Sequence, residues 1–263
     1  MRIRLDIEYE GTNYAGWQRR ENALAVQQVI EGALGKLLKA PVVLTGASRT
    51  DAGVHALGQV AHFDTCARIP ADKYSYALNT MLPPDIRIWA SGAMPDDFHA
   101  RFSAVGKQYR YQIKSSPHAG ALARNTHAHV IYPLNDEWMR REASALIGAH
   151  DFAAFAASGS VVKDTVRTIY AVSLSRSGDE RTLLITGNGF LYNMVRIIAG
   201  TLISVGAGKL EPGAFTRALE SGSRLDLGVT APAHGLTLME VYYDQSRLLD
   251  GTQQFDCVER AGH

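Results

Sequence analysis

The chain has 263 residues, 46% of them hydrophobic and 20% charged, with a formal net charge of +1, so it can bury a sizeable core as one large domain or two ordinary ones. A nearly neutral balance excludes wholesale coating of a polyanion and leaves room only for a localised basic patch, and no uninterrupted apolar run reaches membrane-spanning length. The first six residues alternate charge with hydrophobe where a secretory signal would hold an apolar block, which predicts a cytoplasmic protein, and Cys66 and Cys257 are too few and too distant for a disulfide framework, so both are expected as free thiols.

Ile3, Leu5, Ile7 and Tyr9 alternate with charged residues, which predicts an opening strand with one buried face. Val26, Val29, Ile30, Ala33, Leu34, Leu37 and Leu38 recur at helical spacing, and Pro41 closes that helix. Strands are expected over 42–47 and 59–64, joined by a short polar loop. A shorter helix is expected over 71–79, after which Pro83 and Pro84 break the chain ahead of a strand around Ile86 and Ile88. Residues 107–114 read as another strand. Around 115–127 the periodicity dissolves into small, polar and histidine residues, marking the approach to a second half. There Asn135 is the expected N-cap of a helix through Trp138, Met139, Ala143 and Leu146, with Asp136 and Glu137 suited to the positive end of its dipole. Residues 165–176 and 182–188 predict a hairpin across Ser177, Gly178, Asp179 and Glu180. An apolar helix over 191–205, a short one over 212–221 and a strand over 236–243 follow. The pattern predicts an α+β protein with helices gathered on one face of a largely antiparallel sheet. Its expected parts are the halves 1–104 and 105–245 and a tail, 246–263.

The segment 48–56 reads Ser-Arg-Thr-Asp-Ala-Gly-Val-His-Ala. It mounts an arginine (Arg49), a carboxylate (Asp51) and a histidine (His55) between two strands, a setting in which reactive groups are commonly placed. If the segment is extended, Arg49 and Asp51 point the same way and the guanidinium keeps the carboxylate ionised, while Gly53 permits a sharp turn after the acid. A polar strand connection with a surface ion pair fits the same residues. Asp51 and His55 fit less well as metal ligands, because no second cluster of ligand spacing follows. An aspartic protease would need Asp-Thr-Gly or Asp-Ser-Gly twice, and the chain has Asp-Ala-Gly once.

Other segments bear on that loop. Strand alternation puts Lys107, Tyr109, Tyr111 and Ile113 on one face, where an aromatic pair could line a cleft; core packing accounts equally for Tyr111 and Ile113. Arg196 interrupts an apolar helix entered from a glycine-flanked loop, and such an arginine needs a carboxylate or phosphate partner. Pro232 and Gly235 fix a loop ahead of the last strand. Arg19 and Arg20 follow Tyr14 and Trp17, and Arg101, Lys107 and Arg110 surround Phe98, His99, Phe102, Tyr109 and Tyr111. Cations interleaved with aromatics suit a single-stranded nucleic acid, although core packing would explain Phe98 and Phe102 as well.

The run Gly-Ala-Ser-Arg-Thr-Asp-Ala-Gly-Val-His-Ala-Leu-Gly-Gln-Val-Ala-His-Phe over 46–63 resembles the catalytic signature of the TruA family of tRNA pseudouridine synthases. Tyr-Ala-Gly-Trp-Gln over 14–18, Phe-His-Ala-Arg-Phe-Ser-Ala over 98–104, Tyr-Arg-Tyr over 109–111, Phe-Leu-Tyr-Asn-Met-Val-Arg over 190–196 and Ala-Pro-Ala-His-Gly-Leu over 231–236 agree in order and spacing. The resemblance implies two similar α/β halves that share one continuous mixed sheet, a basic RNA-binding cleft between them, and a homodimer. It implies that Asp51 is the catalytic aspartate, that Tyr109 stacks on the target uracil and that Arg196 pairs with the aspartate. Arg49 would reach the RNA and hold the flipped nucleotide's place, and Leu236 would be an apolar wall against the base. The implied substrate is tRNA at its anticodon stem-loop.

That reaction moves the ribose from N1 to C5 of uracil, breaking a C–N bond and forming a C–C bond with no redox change, so neither cofactor nor metal is expected. One ionised carboxylate could attack C1′ or C6, or remove the 2′ proton, and the sequence leaves these routes open. The base must leave its stack, at a cost of about a few kcal/mol. The alternatives are a noncatalytic RNA-binding protein using the same cleft, and a metal-dependent hydrolase built on Asp51.

Overall fold

The computed structural model describes residues 1–156 and 164–248. Its contacts divide the described residues into two compact units, one of 1–105 with 237–243 and one of 106–156, 164–236 and 244–248.

The first unit opens with β1 (Arg2–Tyr9), whose Ile3, Leu5, Ile7 and Tyr9 all face the core. α1 (Val26–Leu38) buries Val26, Ile30, Ala33 and Leu34, as the spacing predicts. The strand expected over 42–47 shrinks to β2 (Thr45–Gly46). The cause lies in α1: Leu44 donates its N–H to Glu31 Oε1 at 3.0 Å and its carbonyl accepts from Gln27 Nε2 at 2.9 Å. Helix side chains thereby satisfy the backbone groups that a neighbouring strand would have taken. β3 (His55–Asp64) begins at His55 rather than at Gln59, which removes the histidine from the loop. A 3-10 turn, Ala71–Lys73, leads into α2 (Tyr74–Asn79), and β4 (Ile86–Met94) follows. β1 lies antiparallel between β3 and β4. Tyr74 of α2 meets Phe63 of β3 edge-on at 5.3 Å, which seats the helix on the apolar face. The opposite face is charged, with Arg2 paired to Asp64 at 2.8 Å and Arg4 to Asp6 at 2.6 Å.

The second unit runs β5 (Gly106–Ser115), β6 (Ala128–Val130), α3 (Asp136–Ser144), β7 (Gly148–Asp151), β8 (Val166–Ser177), β9 (Glu180–Gly187), α4 (Met194–Gly206) and α5 (Ala214–Ser221). Its strands lie in the order β5-β9-β8-β7, all antiparallel, with β6 added parallel to β5. The short β6 and β7 stand where no strand is expected, because so few residues carry no readable period. Asn135 caps α3, accepting from Trp138 N–H at 3.1 Å. Asp136 in the first turn also holds Arg181, a β9 side chain only 3% exposed, so one carboxylate serves the helix dipole and neutralises a buried guanidinium. α4 starts at Met194 rather than Leu191, because Asn193 sits in the left-handed region at φ 61.

β10 (Leu236–Tyr242) returns to the first unit and pairs parallel with β3, Thr237 opposite His55 and Leu238 opposite Ala56. Val105 N–H donates to Tyr242 O at 2.8 Å and the Tyr243 hydroxyl to Ala100 O at 2.6 Å, which fastens the strand in place. Each unit is thus a largely antiparallel sheet with one short parallel pairing and packed helices, the α+β class that the pattern predicts. Cys66 is an exposed free thiol; Cys257 and the tail from 249 lie outside the described residues. Among the described residues no helix is long and apolar enough to cross a membrane.

Candidate active site

In the first unit, residues 48–54 are pinned from both sides. The fully buried Gln59 side chain accepts from Ser48 N–H at 3.1 Å and donates to Ser48 O at 2.7 Å. Thr50 is buried, its hydroxyl 2.6 Å from that of Tyr9 and its carbonyl accepting from Trp17 N–H at 3.1 Å. Past the acid, Val54 N–H bonds to Asp51 O at 3.1 Å, and Gly53, at φ 77, donates to Tyr14 O at 3.3 Å. Gly16, at φ 92, lies so close that a Cβ there would stand 2.5 Å from Thr50 O, a position only glycine can take. Arg49 is exposed, Thr50 buried and Asp51 half-buried, the alternation of an extended chain. His55 is buried in β3, and its Nδ1 accepts from Gly11 N–H at 2.9 Å. That bond occupies a ring nitrogen and makes His55 part of the scaffold, against its reading as a metal ligand beside Asp51.

In the second unit, Tyr109 on β5 is 6% exposed and its ring meets Phe190 edge-on at 5.1 Å and 83°. Tyr111, two residues on, is fully buried; its hydroxyl donates to Pro232 O at 2.8 Å and its ring packs against Gly235. Burial pushes the Tyr111 phenol well above the ordinary tyrosine value, with the Arg196 charge opposing, so it stays protonated. Of the aromatic pair, Tyr111 is therefore core. Arg196, half-buried in the first turn of α4, donates from Nε to Ala231 O at 2.9 Å and from Nη1 to Asn193 Oδ1 at 2.8 Å. These two bonds run to neutral acceptors and orient the guanidinium. Leu236 is buried at the start of β10.

The clusters of cations and aromatics separate on inspection. Trp17 and Phe98 are buried, and the Tyr14 hydroxyl donates to Asp85 at 2.6 Å, so these three rings are scaffold. Arg19 pairs with Glu31 at 3.2 Å. Phe102 is 75% exposed with the Arg101 guanidinium 5.5 Å from its ring centre. Arg110 is half-buried on the β5 face opposite Tyr109, its buried Nε has no hydrogen-bond partner, and burial lowers its pKa from the ordinary arginine value. Sequence reasoning passed over Gln59, Asn193 and Gly16; their importance depends on backbone angles and carbonyl directions that residue type does not announce.

A sequence model of the family described as tRNA pseudouridine synthase matches residues 7–103 and 143–244. The chain is 54% identical over 243 residues to the tRNA pseudouridine synthase A of Ruminiclostridium cellulolyticum, covering 92% of this chain and 99% of that one. It is 54% identical over 241 residues to the tRNA pseudouridine synthase A of Acetivibrio thermocellus, with coverages of 92% and 99%. Among solved structures it is similar to a chain of a Cbf5-Nop10-Gar1 complex at 9% identity and a TM-score of 0.37, covering 90% of this chain and 58% of that one.

Proposed function

Because the chain belongs to the TruA family of tRNA pseudouridine synthases, we propose that it isomerises uridine to pseudouridine in the anticodon stem-loop of tRNA, as a cytoplasmic homodimer. The C1′–N1 bond breaks, the uracil turns, C1′ bonds to C5, the C5 proton leaves and N1 takes up a proton, so atoms and electrons balance without a co-reactant. In this reading Asp51 acts on the ribose or the base, and Arg196 supplies the positive charge that keeps such a carboxylate ionised in a desolvated setting. Tyr109 covers the uracil, Arg49 contacts the RNA and Leu236 is an apolar wall. The observation that carries the proposal is the build of 48–54: family likeness covers it, and its fastenings run through Ser48, Thr50, Gly53, Val54 and the Asp51 carbonyl. A carboxylate is thereby presented by a rigid frame, as a catalyst requires.

The test is conversion of uridine in an unmodified tRNA transcript, with divalent metal chelated. Wild-type protein should convert it, and Asp51→Ala should lose turnover by at least about a thousandfold while still binding tRNA. Full activity in that variant, or release of free uracil, would sink the reading. Pseudouridine mapping of tRNA from cells lacking the protein should show the loss within the anticodon stem-loop.

A further inference from the structure

We propose that Tyr111 is a positioning residue for Arg196 and acts through the loop at 231–235, an inference that rests on the role given to Arg196 above. The connection is short. The Tyr111 hydroxyl donates to Pro232 O at 2.8 Å. The preceding residue, Ala231, accepts from Arg196 Nε through its carbonyl at 2.9 Å and donates its N–H to Arg196 O at 3.0 Å. Two consecutive carbonyls are therefore gripped from two elements, one by a phenol of β5 and one by a guanidinium of α4.

The loop transmits position because it is stiff. Pro232 sits at φ -54, within the range its ring enforces. Gly235 lies directly on the Tyr111 ring, where a Cβ would approach Cζ to 2.6 Å, so the ring sets the height of the loop over the sheet. His234 Nε2 lies 3.1 Å from His127 O and ties the same loop to the segment before β6. Phenylalanine would fill the Tyr111 site as well, and a buried hydroxyl is costly unless it is used. Here its use is the Pro232 carbonyl. Loss of that bond frees the loop to shift, and the Ala231 carbonyl, which aims the Arg196 fork, shifts with it.

A double-mutant cycle on tRNA conversion tests this, with wild type, Tyr111→Phe, Arg196→Lys and the double variant. Tyr111→Phe should lower kcat roughly five- to tenfold, the scale of one hydrogen bond, with KM within about twofold. On the Arg196→Lys background the same change should cost less than about twofold, because the fork it positions is gone. Gly235→Ala, which lifts the loop with the hydroxyl intact, should reproduce the fall in kcat. Thermal melting of each variant checks that it is folded at the assay temperature. Full kcat in Tyr111→Phe, or losses that multiply in the double variant, would overturn the positioning role and leave Arg196 as proposed. Full activity of Arg196→Lys alone would remove the role of Arg196 and this inference with it.

Discussion

Residues 48–54 and residues 189–196 each carry a candidate ionisable group, and the two segments are held by opposite means. Around Asp51 the loop main chain is fastened by the Gln59 amide, the Tyr9 and Thr50 hydroxyls, and the main chain of Tyr14 and Trp17. Around Arg196 the guanidinium itself is two of the fastenings, to Ala231 and Asn193. The first arrangement frames the main chain with groups other than the one proposed for the chemistry. The second makes one side chain serve both, so a lesion there removes charge and architecture together.

The sharpest way to break this contrast is Arg196→Lys. A point charge on a flexible stem cannot reproduce a planar fork, so turnover should fall by about a hundredfold or more, and the melting temperature should fall too because Ala231 O and Asn193 Oδ1 lose a donor. Asp51→Ala should lower the melting temperature less than Arg196→Lys does; the reverse order would refute the division of labour. Next in size is Gly16→Ala, which forces a side chain to φ 92 and 2.5 Å from Thr50 O. It should cost about 1–3 kcal/mol in denaturant unfolding and also reduce turnover, since the clash falls on the residue before Asp51. Gly178→Ala sharpens the point: φ is 60 but nothing lies within 4 Å of the added Cβ. It should cost only about 1 kcal/mol and leave turnover unchanged.

The smallest effect concerns His62, whose Nδ1 accepts from Ala100 N–H under the 96–103 loop. Burial first, then the charges of Arg2 and His99, lower its pKa from the ordinary 6.5. The unfolded chain therefore binds the proton first as pH falls, so this contribution is complete above about pH 6.5 and is lost on acidification toward the lower folded value. Burial also lowers the His127 pKa, with the same sign in the second unit. Urea unfolding compared at neutral and mildly acidic pH should show stability dropping on acidification, with a shallower drop in His62→Gln. An equal slope in that variant would exclude His62 as a contributor.

Much of the scaffold was legible because its signals are local. α1 has seven apolar residues at helical spacing, Asn135 offers cap chemistry directly before a periodic run, and the hairpin turns on Gly178 at positive φ. The lost part of the 42–47 strand was not legible, because Gln27 and Glu31 capture Leu44 from an element thirteen or more residues away. Alternation says which face a residue takes but not which strand lies beside it, so the return of β10 to β3 had no sequence signal. The proposed roles of Asp51, Arg49, Tyr109, Arg196 and Leu236 rest on motif resemblance. Composition alone could not separate Phe98, which is buried, from Phe102, which is exposed. That distinction comes from how the chain closes on itself.

That closure has a temporal side. When Val105 leaves the ribosome the first unit lacks 237–243, and residues 106–236 of the second unit must be polymerised before those residues exist. At roughly 5–20 residues per second, His55 and Ala56 wait on the order of ten seconds for Thr237 and Leu238. A strand edge left open during synthesis is a template for wrong pairing. The nascent chain therefore cannot finish its beginning until it has nearly reached its end, and a fault written near residue 240 would surface as a misfolded N-terminal unit.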